Sequence, residues 1–246
     1  MNATAASVDP AEIARFAAMA EEWWSPEGKF RPLHKFNPAR LAFIRDSLCA
    51  HFGRDPLAPS PLRGLRLLDI GCGGGLVAEP MARLGATVVG IDASEKNVGI
   101  ARVHAEQSGL DIDYRHAAAE DLVAAGERFD AVLALEVVEH VADLGSFFGA
   151  CAALVKPEGA LVVATLNRTP QSFLLAIVGA EYVLGWLPRG THQWGKFVRP
   201  SELAAKLRPY GARITALRGM SYNPLKDEWR LSDDLSVNYF ALAVMG

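Results

Sequence analysis

The sequence predicts a doubly wound α/β fold: a mostly parallel sheet of seven strands with an antiparallel edge pair and an N-terminal helical cap. Three observations carry that expectation. After Gly64 short apolar runs alternate with helical patterns, and strands linked through helices pair in parallel by right-handed crossovers. Glycines crowd the turn after the first apolar run, at Gly71, Gly73, Gly74 and Gly75, the position where such sheets hold their ligands. The chain then closes on two strand-like runs, "ARITALRGM" and "VNYFALAVM". With 246 residues, 50% of them hydrophobic, one domain can bury its own core.

Asp9 and Pro10 form a helix start, an N-cap followed by a residue whose missing N–H is harmless at the first helical position. That helix runs through "AEIARFAAMAEEWW" until the prolines and glycine of "SPEGKFRPLHKFNP" break it. A second helix, "ARLAFIRDSLCAHF", and the proline-rich loop "GRDPLAPSPLRG" complete a cap and linker over 1–63, before a core over 64–246. In that core, strands are expected at Arg66–Ile70, Ala86–Asp92, Ile112–His116, Phe129–Leu135 and Ala160–Thr165. Helices are expected at Gly75–Leu84, Ser94–Ser108 and Gly145–Leu154, with another opening at Pro200.

An insertion at about 168–199 carries "SFLLAIVGAEYVLGWL". A helix of roughly fifteen residues reaches ~22 Å against ~30 Å of hydrocarbon, too short to span. Apolar residues cover nearly its whole circumference, with Arg168, Arg189, Lys196, Arg199, Trp186 and Trp194 on its flanks. That is the pattern of a helix lying in a lipid interface, although a core helix after the fifth strand is the alternative. The formal charge of −3 and scattered Lys and Arg argue against nucleic-acid binding. Cys49, Cys72 and Cys151 are odd in number and form no CxxC pair, against a disulfide framework or zinc knuckle and in keeping with a reducing compartment. The N-terminus has no basic and apolar leader pattern, so a cytoplasmic location is expected.

The strongest chemical signal is "LLDIGCGGGLVAEPMARLGATVVGIDAS". A buried strand ends in Asp69, the glycine turn follows, and a second strand ends in Asp92. Glycine admits φ > 0 and close approach to a ligand. A dinucleotide fingerprint fails because Leu76 stands at its sixth position. Asp69, two places before Gly71, suits a cofactor with a cationic amino-acid end, and Asp92 suits ribose hydroxyls. A second cluster, "ALEVVEHV", ends an apolar run with Glu136, Glu139 and His140. On a helical turn these would share one face, either as a solvated helix start or as a site that holds a cation or moves a proton.

"LDIGCGGG" and "GIDAS" resemble the first two motifs of class I S-adenosylmethionine-dependent methyltransferases, a Rossmann-like superfamily, and "LVKPEGALVVATLNR" resembles a later one. The resemblance implies S-adenosylmethionine across Gly71 to Gly73, ribose on Asp92, adenine near "AAAEDL", and Leu135 lining the cofactor. Three further stretches are more specific: "WWSPEGKFRPLHKFNPARLAFI", "ALEVVEHV" and Thr165 to Leu203. Together with "SYNPLKDEWRLSDDLSVNYFALA" they resemble the O-methyltransferases of ubiquinone biosynthesis. This implies methylation of ring hydroxyls on polyprenylated hydroxyphenols and demethylubiquinols. It also implies Arg40 on the cofactor, a membrane-borne substrate met at the inner face of the membrane, and possible association with other enzymes of that pathway. Glu136, Glu139 and His140 resemble a triplet that holds Mg²⁺ or a similar cation in some members; His140, with Glu139 beside it, could instead act as general base. Another small-molecule methyltransferase, C-methylating ones included, and a non-catalytic cofactor-binding module remain alternatives.

Overall fold

The computed structural model describes residues 7–25, 27–28, 30–175, 177, 193–223 and 226–246. Its sheet has eight strands in the order β3-β2-β1-β4-β5-β8-β6-β7. They are β1 (Arg66–Ile70), β2 (Thr87–Asp92), β3 (Asp113–His116), β4 (Phe129–Leu135), β5 (Val155–Leu166), β6 (Ala212–Asn223), β7 (Glu228–Ser232) and β8 (Asn238–Met245). The stretch β3 to β5 is parallel, and β8, β6 and β7 add antiparallel pairs. The expected edge pair is β6 with β8; the extra strand is β7, "EWRLS", half-buried to exposed along its length. Trp229 and Leu231 turn toward the core but stay only partly buried, and so short a strand carries too few such positions to read.

Successive residues of the parallel strands feed opposite faces of the sheet. Leu67, Val88, Leu133 and Val162 join one core layer, while Leu68, Val89, Val132 and Val163 join the other. Burial on both faces explains why these strands read as continuous apolar runs. The first layer also receives Phe43, Ile44, Leu48 and Cys49 from the long helix α2 (Arg31–His51). Here the helix is longer than its prolines suggest. Pro32 sits at its first positions, where no N–H is needed, and Pro38 is accommodated inside it.

The remaining helices are α1 (Pro10–Met19), α3 (Ala78–Arg83), α4 (Glu95–Gln107), α5 (Ala119–Ala124), α6 (Leu144–Leu154), the single turn α7 (Pro170–Ser172) and α8 (Pro200–Leu207). Asp9 caps α1 as expected, accepting from the backbone N–H of Ala11 at 3.0 Å. A separate small cluster of Met19, Ala20, Trp23, Phe30 and Leu76 seats the cap on the sheet's glycine turn. Most of the insertion expected to meet lipid, 178–192 with Trp186 and Arg189, lies outside the described residues. Because β2 and β3 lie on one side of β1 and β4 on the other, strand order reverses beside β1. The crevice at its carboxyl end is where the fold holds a ligand.

Candidate active site

A cavity of about 970 Å³ opens at that reversal point, at the upper end of the roughly 300–1,000 Å³ common for ligand sites. Arg40, Gly71, Gly73, Asp92, Leu135, Glu136, Glu139 and His140 all line it, so the candidate cofactor, catalytic and metal residues face one space. The glycines of the turn have positive φ at Gly71 (71°), Gly73 (54°) and Gly75 (93°), backbone that other residues enter only with strain. Their smallness also serves contacts within the protein. A Cβ on Gly71 would lie 2.4 Å from Val137, and one on Gly73 2.4 Å from Trp23.

Three charged side chains, Arg40 and Asp69 buried and Asp92 partly so, face the cavity from different elements. Arg40, only 4% exposed, comes from α2 and donates through Nε and Nη2 to Asn37 Oδ1 at 3.0 and 2.8 Å. Asn37 is fixed in turn by its own donation to the Leu76 carbonyl at 2.9 Å. Asp69, 2% exposed, is the penultimate residue of β1, with Oδ2 lacking any hydrogen-bond partner. Burial lifts its pKa to about 7 against the opposing pull of Arg40. An unsatisfied buried carboxylate oxygen is costly, and it fits a cationic ligand group. Asp92, at the end of β2, accepts from Gly73 N at 3.0 Å, Ser94 N at 2.8 Å and Asn97 Nδ2 at 3.1 Å. Burial raises its pKa while those donors oppose the rise.

The Glu136, Glu139 and His140 cluster departs from the helical-face expectation. Glu136 sits at φ 55° and only Val138–His140 form a short 3-10 turn, so no regular i, i+3, i+4 face exists. The two glutamates share a hydrogen bond, and Thr165 Oγ1 donates to Glu139 Oε2 at 2.8 Å. Burial and the neighbouring Glu136 charge lift Glu139 to about 8, and burial raises Glu136 against the pull of Arg40. A proton held between two buried carboxyls is the expected outcome. His140 turns elsewhere: its Nδ1 lies 2.9 Å from Glu12 Oε2, and its ring meets Phe16 edge-on at 5.2 Å. No three His, Cys, Asp or Glu side chains gather into a metal-holding group among the described residues.

Glu12, Asn37, Asn97 and Thr165 are site residues that sequence reading missed. Asn37 and Asn97 hold Arg40 and Asp92 from 3 and 5 residues away, but are themselves fixed by Leu76 and Trp23 at separations of 39 and 74. Thr165 reaches Glu139 over 26 residues and Glu12 reaches His140 over 128 (140 − 12), and no local motif marks these distant pairs. Cys72 is buried with its thiol pushed well up by burial, in keeping with packing rather than nucleophilic chemistry.

A family model described as a methyltransferase domain matches residues 68–163. The chain is 61% identical over 237 residues to the ubiquinone biosynthesis O-methyltransferase of Brucella anthropi, covering 96% of each chain. It is 59% identical over 245 residues to that of Dinoroseobacter shibae, covering 99% of each. Among solved structures, magnesium protoporphyrin IX methyltransferase from Synechocystis with bound SAH superposes with a TM-score of 0.61 at 21% identity, over 84% of this chain and 82% of that one. A methyltransferase from Thermotoga maritima gives 0.62 at 18% identity, over 96% and 99%. These structures share the fold.

Proposed function

The chain belongs to the family of ubiquinone biosynthesis O-methyltransferases, and we propose that its cavity sets a polyprenylated hydroxyphenol or demethylubiquinol ring hydroxyl against S-adenosylmethionine. It is an S-adenosylmethionine-dependent O-methyltransferase. The observation that carries the finer reading is the lining of one cavity by the Arg40 and Asp69 charges, Asp92, and the His140–Glu12 pair.

The cofactor supplies an electrophilic methyl group on a sulfonium. The guanidinium fork of Arg40 matches the two oxygens of its carboxylate, and the unpartnered Oδ2 of Asp69 takes its ammonium. Gly71 and Gly73 let the backbone come close, Asp92 accepts from the ribose hydroxyls, and Leu135 with Ala117 to Ala119 flank the base. A phenol with a pKa near 10 is mostly protonated at neutral pH. With His140 Nδ1 2.9 Å from Glu12 Oε2, its Nε2 would take the proton of a bound phenol, leaving a phenolate for the methyl group that the cofactor would supply. Positioning and deprotonation are what this chain contributes.

A divalent cation fits only in part. Glu136 and Glu139 offer the oxygen donors Mg²⁺ prefers, but His140 would have to leave Glu12 to join them. One assay tests both readings: turnover of a catechol bearing a short prenyl chain, with and without exhaustive chelation. Absence of O-methylated product would overturn the substrate assignment. Activity abolished by chelator and restored by Mg²⁺ would replace the His140 route with a metal site, and full activity under chelation would dismiss the cation.

No helix among the described residues is long and apolar enough to cross a membrane. Peripheral binding to the inner face is proposed because Phe173, Leu174, Leu175 and Trp194 are 46%, 58%, 56% and 37% exposed. Leu175 also lines the cavity, which joins this patch to the site along a path for a prenyl tail. Flotation with anionic vesicles at low salt tests it: protein left wholly unbound would refute the association.

A further inference from the structure

Trp23 and Asn97 lie outside the cofactor contacts assigned above, yet they join the ribose carboxylate to the cap. Trp23 is 8% exposed and lies against the glycine turn: a Cβ on Gly73 would sit 2.4 Å from its Cζ2, and one on Gly74 2.5 Å from its Cβ. The indole stacks on Phe30 with centroids 3.7 Å apart and planes 6° from parallel. Its Nε1–H donates to Asn97 Oδ1 at 3.0 Å, in a buried bond linking positions 74 residues apart. The other end of the same amide, Nδ2, donates to Asp92 Oδ1 at 3.1 Å.

Chemistry fixes the orientation of that amide. An indole N–H can only donate and an ionised carboxylate can only accept, so oxygen must face Trp23 and nitrogen Asp92. Asn97 is 2% exposed and cannot turn without breaking both bonds in a place where water does not replace them. The cap is bound to the same wall by neighbouring contacts: Trp24 Nε1–H donates to the Gly74 carbonyl at 2.8 Å, and Lys96 pairs with Glu21 at 2.9 Å. Farther along the cap, α1 carries Glu12, the partner of His140. Hydrogen bonds through Asn97 and Trp23 therefore link Asp92 on β2 to the cap, which also carries Glu12.

We propose that Asn97 and Trp23 are positioning residues that couple occupation of Asp92 to the seating of the N-terminal cap over the glycine turn. The proposal rests on the reading of Asp92 as the ribose acceptor. Coupling of this kind is reciprocal: whatever ligand does to the cap, the cap does to ligand affinity.

Hydrogen exchange of residues 7–25, measured with and without S-adenosylhomocysteine alongside calorimetry, tests it. In the wild-type protein the ligand is expected to slow exchange across the cap. Trp23→Phe keeps an aromatic ring and removes the donor; Asn97→Ala removes both bonds. Each is expected to weaken ligand binding, roughly two- to tenfold for the single hydrogen bond lost in Trp23→Phe. Each should also abolish most of the ligand-dependent slowing while leaving exchange in β1 unchanged. A purely structural role would instead speed cap exchange equally with and without ligand, and that result overturns the coupling. So does wild-type protein that binds ligand with no change in its cap. Wild-type affinity in a folded Asp92→Ala variant would remove the ribose reading itself, a failure distinct from the other two.

Discussion

Asp69→Asn is expected to raise the melting temperature of the cofactor-free protein near pH 8 and to weaken S-adenosylmethionine binding thirtyfold or more. Both effects come from one buried carboxyl. The folded protein keeps the Asp69 proton up to about pH 7 because burial disfavours the charge, whereas an unfolded aspartate releases its proton near pH 4. Between those values the native state binds more protons than the unfolded state, so stability falls as pH rises. The shift from 3.8 to about 7 corresponds to at most roughly 4 kcal/mol lost above pH 7. Asparagine carries no such charge, so the variant's advantage should be large near pH 8 and vanish near pH 4. Binding moves the other way, because removing one partner of a buried charge pair costs about 2–5 kcal/mol. Thermal melts across pH and calorimetry read the two effects separately. A variant no more stable than wild type near pH 8 contradicts the burial argument; unchanged affinity contradicts the ammonium contact.

That trade of stability for binding bears on what could be read in the chain beforehand. The glycine turn and the carboxylates flanking it are local: Asp69, Gly71, Gly73 and Asp92 fall within "LLDIGCGGGLVAEPMARLGATVVGIDAS", and their strand–turn–strand setting can be read from short patterns. The parallel strands were equally legible because both faces are buried. Edge strand β7 was not, since it is a short hairpin arm following β6 with no fully buried residue, too little apolar pattern to read. At the site the limit was distance along the chain. The Asn37 that holds Arg40 is fixed by the Leu76 carbonyl, and His140 meets a carboxylate contributed by α1. The proximity of three acidic and imidazole groups in sequence suggested one face. The left-handed backbone at Glu136 instead sent the carboxyl pair and the imidazole to different partners.

Those different partners set the expected result for the base. His140→Ala should lower kcat by about 10²–10⁴, the usual worth of a positioned general base, with S-adenosylhomocysteine affinity nearly unchanged because the cofactor contacts proposed for Arg40, Asp69 and Asp92 do not involve it. Glu12→Gln is the finer probe. The amide can still accept from Nδ1–H, but the carboxylate charge that stabilises the imidazolium formed on proton transfer is gone. A loss of roughly 10–100-fold in kcat is expected, comparable with removal of an outer-shell partner. Because Glu12 acts through His140, the two losses should not add: with the imidazole already absent, Glu12→Gln has little left to remove. Single-turnover rates of the two variants and their combination, each checked for folding by its melt, measure this directly. A double variant slower by the full product of the two single losses would mean that Glu12 works independently of His140. A wild-type rate in His140→Ala would take the deprotonation away from the imidazole and point to a carboxylate lining the cavity, such as the Glu136 and Glu139 pair with its raised pKa values.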